Sequence, residues 1–340
     1  MNAADRMEAF ARKALGLAPA AAISLAPFPH RGSDRSYFRL RWDAARSAIL
    51  MHYDAKRPEN ACSADISRFL ESIGVPTARV LEHDPVHRFI LLEDLGDTDL
   101  WALRRSGWET RRDLYRKALA AAGRLHAFPE NLFPANRVRL CEPFGTALYR
   151  WEHDYFLEHC VGRLCGIDPG GAQGAGLRQE LEALSERLAA LPRCLVHRDL
   201  QSQNIMVRDG NPFLIDCQGM RFGTFFYDLG SLLYDPYVDC TEGQREELLR
   251  FYYGLSVAGM DWDAFLGAFL EASAQRLMQA LGAYGFLGIT RGMATYLAHV
   301  RPGLSNLHRA ASGAGTLPEL RRLASRCIAV IAPGGRPPRI

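Results

Sequence analysis

Asp199, Asn204 and Asp216 are the residues of this chain whose types and spacing most clearly permit chemistry. They lie in the stretch CLVHRDLQSQNIMVRDGNPFLIDCQG, residues 194–219. Within it Ile205–Val207 and Phe213–Ile215 read as short apolar strands, and Asp209-Gly210 between them is a strong hairpin-turn signal. A hairpin returns on itself, so Asn204 at its entrance and Asp216 at its exit come close together. Two hard oxygen donors at such a point suit Mg²⁺, which takes a few carboxylate or amide oxygens and leaves room for phosphates. Asp199, five residues before Asn204, then sits beside the metal, where it can accept a proton from an attacking hydroxyl. HxDxxxxN followed twelve residues later by a strand-terminal aspartate is the arrangement of phosphoryl transfer, in which one aspartate orients the nucleophile and an Asn and an Asp hold the metal. The bland alternative is a polar loop with structural hydrogen bonds.

These residues need a scaffold, and the pattern along the chain describes one. Residues 22–95 read as strands with one helix between them. Tyr37–Trp42 alternates aromatic or apolar residues with arginine, as a half-exposed strand does, and Ala48–Tyr53 is a second strand. Ser63–Ile73 is an amphipathic helix ended by Gly74 and Pro76, and Ala78–Glu82 with Arg88–Glu93 completes an antiparallel sheet that Gly96 breaks. From Leu100 onward the pattern is mainly helical, at about 109–127, 143–161, 176–191, 242–258, 261–285 and 317–331, with one β-rich island at 194–216. The expected architecture is α+β and bilobal: residues 1–95 form a small nucleotide-binding lobe and 96–340 a larger helical lobe with the catalytic loop and acceptor site, joined by a hinge at about 93–97. Ligands favour such a seam.

Composition narrows the class further. The chain has 340 residues, 48% hydrophobic and 23% charged, which excludes wholesale disorder. No apolar run approaches the roughly 20 residues that cross a bilayer, and the start, MNAADRMEAFARKALGL, has a helical apolar stripe but no signal-peptide core. A cytoplasmic protein without a membrane partner is expected. A net charge of +3, from 41 basic and 38 acidic residues, argues against a nucleic-acid partner bound by bulk electrostatics. Eight scattered cysteines with no CxxC pair fit reduced, mostly buried thiols. Of the basic residues only Lys13, Lys56 and Lys117 are lysines.

The sequence resembles the aminoglycoside phosphotransferase and choline kinase-like enzymes, which share the protein-kinase fold, over roughly 25–310. Within them it is most similar to bacterial anomeric sugar kinases, which phosphorylate the C1 hydroxyl of N-acetylmuramate and N-acetylglucosamine in cell-wall recycling. The matching stretches are GSDRSYFRL (32–40), LLEDLGD (91–97), LVHRDLQSQNIMV (195–207), IDCQGMRFGTFFYDLGSLLYDPYV (215–238) and QRLMQALG (275–282). The resemblance implies ATP and Mg²⁺ as cofactors and a small-molecule sugar as substrate. It implies Asp199 as catalytic base, Asn204 and Asp216 as metal ligands, and Glu93, Asp94 and Leu95 as the hinge that meets adenine. Gly32 to Ser36, including Ser33 and Arg35, would form the turn over the ATP phosphates; without GxGxxG, an ordinary hairpin loop fits the same residues.

One position departs from that pattern. The strand after the turn should carry a lysine for the α/β-phosphates, and the expected position is Met51, a substitution the anomeric kinases share. Lys56, Arg35 and Arg39 are the remaining candidates for that charge. His197 is expected to hydrogen-bond backbone, and Asp228 to brace the catalytic loop from a helix start. For the acceptor, the helix YRWEHDYF (149–156) offers aromatic faces and Glu152, although a core stripe of Leu148, Trp151 and Tyr155 is the plainer reading. Gln201, Arg276 and Gln279 are the other acceptor candidates, the arginine because its fork suits a lactyl carboxylate. Another alcohol acceptor (an aminoglycoside or choline) and a nucleotide-binding regulatory protein that has lost catalysis are the rival readings. Oligomeric state, anomer and the choice between ATP and GTP leave no mark in the sequence.

Overall fold

The structure, a computed structural model, describes residues 3–28, 35–43, 46–54, 56–170, 174–256 and 259–331. Helix α1 (Ala3–Ala14) precedes an antiparallel sheet of β1 (Ser24–Pro27), β2 (Arg35–Arg41), β3 (Ser47–Tyr53), β4 (Val80–Asp84) and β5 (Phe89–Glu93), in the spatial order β1-β2-β3-β5-β4. The helix that follows β3 is α2 (Ser63–Ser72). Side chains alternate across the pleat. Leu40, Ala48, Leu50, Phe89 and Leu91 meet Met7 and Ala11 of α1 on one face, while Met51, Tyr53 and Ile90 meet Ala64 of α2 on the other. The apolar stripe at the start of the chain is therefore the cover of an otherwise bare sheet face.

After the sheet the chain is mainly helical. Helices α3 (Trp108–His126), α4 (Thr146–Phe156), α5 (Gly174–Ala190), α6 (Phe225–Leu233), α7 (Glu242–Leu255), α8 (Trp262–Gly285), α9 (Val300–Ala314) and α10 (Pro318–Val330) share one large core. Six of them match the expected segments, with α4 running on into a π-helical stretch, Leu157–Leu164. Two are additions. Helix α6 is buried at all nine positions, so it carries no polar face to mark a helical period. Helix α9 holds Pro302, Gly303 and Gly313, which interrupt the usual helix signals. Among the described residues no helix is long and apolar enough to cross a membrane, and all eight cysteines are free thiols, five of them buried.

The β-rich island is built as the turn signal requires. Strand β6 (Cys194–Val196) pairs antiparallel with β9 (Arg221–Gly223), and β7 (Ile205–Arg208) with β8 (Asn211–Leu214). Asp209 and Gly210 both take left-handed backbone, φ 53° and 68°, the geometry of a tight Asp-Gly hairpin. This hairpin is wedged between the connection from α2 into β4 and the one that leaves the sheet after β5. Leu214 N–H donates to Pro76 O at 2.8 Å, and Val207 N–H to Thr98 O at 2.8 Å. On the far side α6 lies across α8, with Gly230 at the crossing. A Cβ there would stand 2.7 Å from Ser273 Cα, a backbone atom that cannot rotate away. Gly230→Ala should therefore lower stability by about 1–3 kcal/mol, read as a shifted urea midpoint.

Candidate active site

The loop between β6 and β7 carries His197, Arg198, Asp199, Gln201 and Asn204, and the residues after β8 carry Asp216 and Gln218. The two ends of the hairpin close on each other through Ile215 N–H, which donates to Asn204 O at 2.9 Å. Asn204 also turns inward: its Nδ2 donates to the backbone O of Asp199 at 2.9 Å, and its own N–H to Gln201 O at 2.9 Å. Asp199, Asn204 and Asp216 are thus brought together, as the spacing requires.

Two of these residues sit in strained backbone. Arg198 (φ 77°) and Asp216 (φ 67°) are non-glycine residues in the left-handed region. Buried carboxylates hold this shape. Asp228 of α6, with no exposed surface, accepts from His197 N–H at 2.6 Å and Arg198 N–H at 2.8 Å, and its Oδ2 lies 3.0 Å from His126 Nε2. Asp235, also buried, accepts from Ser202 N–H at 2.8 Å, from Ser202 Oγ at 2.5 Å and from Tyr237 N–H at 2.9 Å. Burial raises the Asp235 carboxyl pKa, and the bonds from Ser202 and Tyr237 pull against that. The ring of His197 meets backbone, with Nε2 2.9 Å from Ile215 O, which ties the loop to the hairpin exit.

Asp199 lies between two arginines. Arg198 Nη1 is 2.5 Å from its Oδ2 and Arg276 Nη2 is 3.2 Å from its Oδ1. Burial would raise its pKa, but the two guanidinium groups outweigh burial and hold it at about 2. The carboxylate is therefore ionised at any ordinary pH, and well below the usual carboxylate range rather than near it.

Asp216 meets a third arginine. Arg35 Nη1, at the start of β2, stands 2.5 Å from Asp216 Oδ1 and 2.9 Å from Gln218 Oε1. Asp216 Oδ1 is buried and faces the Arg35 guanidinium, the position a cation would share with it. Among the described residues no three His, Cys, Asp or Glu side chains form a metal-holding group. One carboxylate and one amide is instead the donor set that fits Mg²⁺ shared with phosphates.

The other candidates for positive charge are placed elsewhere. Met51 is buried in the sheet, and Lys56 is 85% exposed, 3.8 Å from Asp54. Arg39, expected as an alternative phosphate contact, instead clamps the connection after β5: its Nε is 2.7 Å from Asp94 Oδ2, its Nη1 2.6 Å from Asp97 Oδ1, and its Nη2 donates to Gly96 O at 3.1 Å. Burial raises the Asp94 pKa, but bonds from Ser47, Gly96 and Arg39 reverse that and the net shift is downward. Glu93 is paired with Arg208 of β7 at 2.7 Å, and Leu95 is buried. Ser36 follows Arg35 on β2, exposed, while Gly32 and Ser33 lie outside the described residues.

On the acceptor side the residues are less available than their types suggest. Glu152 is 1% exposed, and both its oxygens are engaged, one by Tyr227 Oη at 2.9 Å and one by Gln275 Nε2 at 2.9 Å. Burial raises its pKa, opposed by Arg198 and by those two donors. Arg276 is 6% exposed and donates from all three nitrogens, to Ser231 Oγ at 3.2 Å, Gln279 Oε1 at 2.7 Å and Asp199. It braces Asp199 and does not present a free fork, and Gln279 in turn braces it. Gln201 is half-buried in the loop itself. The core-stripe reading of Trp151 fails: it is 53% exposed and stacks on Tyr155, with centroids 5.1 Å apart at 11°. Tyr155 lies close enough to Arg198 and Arg57 for both to influence its hydroxyl.

A five-stranded sheet set against a helical body, with an aspartate loop and a tight hairpin at the seam, defines a phosphoryl-transfer enzyme of protein-kinase-like fold. The phosphotransferase enzyme family matches residues 24–266, and this chain belongs to it. Among curated relatives it is 28% identical over 324 residues to an N-acetylmuramate/N-acetylglucosamine kinase of Pseudomonas aeruginosa, covering 93% of this chain and 91% of that one. A kinase of the same name from Pseudomonas putida is 28% identical over 337 residues, 96% and 93% of the two chains. Among solved structures, a choline/ethanolamine kinase family protein from Mesorhizobium loti superposes with a TM-score of 0.60 at 18% identity, over 95% of this chain and 99% of that one. The ADP-bound aminoglycoside phosphotransferase APH(2'')-Ib gives 0.57 at 14% identity, over 93% and 98%.

The Asp228 brace carries a direct expectation. Asp228→Ala leaves two buried N–H donors without an acceptor, which should cost about 2–5 kcal/mol in total. The backbone amides of His197 and Arg198 should then exchange with solvent faster than in the wild type, measured by hydrogen–deuterium exchange. Unchanged protection at these two amides would contradict the assignment.

Proposed function

We propose that this phosphotransferase is an ATP-dependent sugar kinase that phosphorylates the anomeric hydroxyl of N-acetylmuramate or N-acetylglucosamine. Residues 1–95 serve as the nucleotide lobe and 96–340 as the acceptor lobe. The observation that carries the reading is the Asp199–Asn204–Asp216 constellation at the hairpin, supported by the relatives' names over nearly the whole chain.

In this reading the backbone of residues 93–95 meets the adenine, at a connection stiffened by Arg39. Asn204 and Asp216 would hold Mg²⁺, which would supply charge neutralisation for the phosphates. Asp199 accepts a hydrogen bond from the C1 hydroxyl and aims that oxygen at the γ-phosphorus. As the new P–O bond forms and the β–γ bridging bond breaks, the hydroxyl proton passes to the Asp199 carboxylate. With a pKa held at about 2, Asp199 is a weak base whose main contribution is orientation. An anomeric hydroxyl suits it, being more acidic than an ordinary alcohol. Arg276 and Gln279 keep the carboxylate in place, Glu152 supports Tyr227 beneath it, and Gln201 and the exposed Trp151–Tyr155 stack remain the groups to meet the sugar. Two arginines beside Asp199, Arg276 buried and Arg198 half-buried, disfavour a cationic acceptor such as an aminoglycoside or choline. Cell-wall sugar recycling is the setting that this substrate class implies.

An acceptor panel decides the matter: ATP consumption with N-acetylmuramate, N-acetylglucosamine, choline and an aminoglycoside, the product identified by ³¹P and ¹³C NMR. We expect a sugar 1-phosphate with the amino sugars, and a loss of roughly 10²–10⁴-fold in kcat for Asp199→Asn. ATP binding with no acceptor-stimulated turnover would favour the regulatory alternative.

The pH dependence has a definite sign. Because the Asp199 pKa is depressed, the active, ionised form persists as pH falls and is lost only near 2. The kcat/KM profile should therefore show no acid limb due to Asp199 as pH is lowered from roughly 8 to about 5. A limb in that window that disappears in Asp199→Asn would contradict this.

A further inference from the structure

In kinase-like sites a lysine on the third strand grips the α/β-phosphates and is held by a glutamate on the following helix. Both halves of that pair are replaced here. Met51 stands at the strand position, 3% exposed, packed with Tyr53, Ala64 and Ile90. Helix α2 turns Ala64, Ile66, Phe69 and Leu70 inward, whereas its acids lie outward, Asp65 half-exposed and Glu71 exposed. An apolar contact occupies the place of the ion pair, so a lysine restored at 51 would find no partner.

The positive charge is found one strand away. The register of β2 and β3 sets Tyr37 opposite Met51 and Arg35 opposite Tyr53. Arg35, Tyr37 and Met51 therefore share one face of the sheet. Arg35 originates about 5 Å across and about 7 Å along from Met51, at the start of the strand that leaves the expected phosphate turn. Its guanidinium, 8% exposed, lies 2.5 Å from Asp216 and 2.9 Å from Gln218 Oε1. Burial disfavours its charge, but Asp216 more than compensates and the pKa moves up, so the group is a permanent cation. Arg39 is committed to Asp94 and Asp97, and Lys56 projects into solvent.

We propose that Arg35 is the phosphate-gripping cation of this enzyme, in place of the strand lysine. Without nucleotide it pairs with Asp216. When the triphosphate enters, the guanidinium exchanges that carboxylate for phosphate oxygens, and Asp216 becomes free to serve as a metal ligand. The exchange preserves charge balance at each step, since the arginine keeps an anion and the aspartate keeps a cation. A planar fork suits phosphate at least as well as an ammonium group does. This inference rests on the kinase reading above.

Isothermal titration of ATP with Mg²⁺, and separately of adenosine, tests it on wild type, Arg35→Gln and Arg35→Lys. Wild type should bind ATP much more tightly than adenosine. Arg35→Gln should weaken ATP on the order of ten- to a hundred-fold while leaving adenosine unchanged. Arg35→Lys, which keeps the charge and loses the fork, should fall between the two. Thermal melts without ligand check that each variant is folded, and should Arg35→Gln not fold, the smaller selective loss in Arg35→Lys carries the test. An undiminished preference for ATP in both variants would overturn the role of Arg35 and leave the kinase reading standing. A wild type with no preference for ATP over adenosine would overturn both.

Discussion

Two backbone N–H groups in a row, those of His197 and Arg198, point at one buried carboxylate, Asp228. Adjacent N–H groups converge in this way only where the chain bends sharply, and here Arg198 is driven into left-handed backbone at a cost of order 1–3 kcal/mol. That bend presents Asp199 to the seam between sheet and helical body. The carboxylate needs its own support, which comes from His126 on α3, and His126 is in turn 2.6 Å from Tyr252 Oη on α7. Three helices therefore converge on the geometry of a single loop. Every other property of the site, from the hairpin closure to the arginines around Asp199, presupposes this bend.

Arginine dominates the electrostatics. With 38 arginines against three lysines, the chain meets four carboxylates of the site with guanidinium groups: Arg198 and Arg276 at Asp199, Arg35 at Asp216, Arg39 at Asp94 and Arg208 at Glu93. A partly buried pair of this kind gives little net stability, because desolvation of the charges offsets much of the attraction. Its value is geometric, since a planar donor fork fixes both the distance and the plane of its partner. The depressed pKa of Asp199 follows from the same arrangement. The price is basicity: a carboxylate held this low is a weak proton acceptor.

Much of this was readable from the residues. The period-two alternation of 37–42 and 48–53, the Asp-Gly turn and the HRDLQSQN loop each state a local geometry, and the structure has that geometry at those residues. Six helical segments with a polar face were legible for the same reason. Helix α6 was not, because a wholly buried helix has no period to display. Trp151 was misread as core: helical spacing puts it on one stripe with Tyr155, but spacing says nothing about whether a neighbouring element covers that stripe. Arg39 read as a phosphate candidate because it lies near the turn in sequence, whereas the sheet carries it to the connection after β5, where Asp94 and Asp97 wait.

The sequence by itself determined the chemistry available: an aspartate, an asparagine and a second aspartate at spacings that a hairpin must bring together, because a tight turn relates its two ends through covalent geometry alone. It equally put Met51 where the resemblance implies a lysine. Only the tertiary structure decided which arginine faces which carboxylate. Arg35 and Asp216 are 181 residues apart and Asp199 and Arg276 are 77 apart, and no local rule relates them. Their meeting depends on how the sheet sits on the helical body and how α8 threads beneath the loop, which is settled by the packing of buried apolar surface and not by the charged residues themselves.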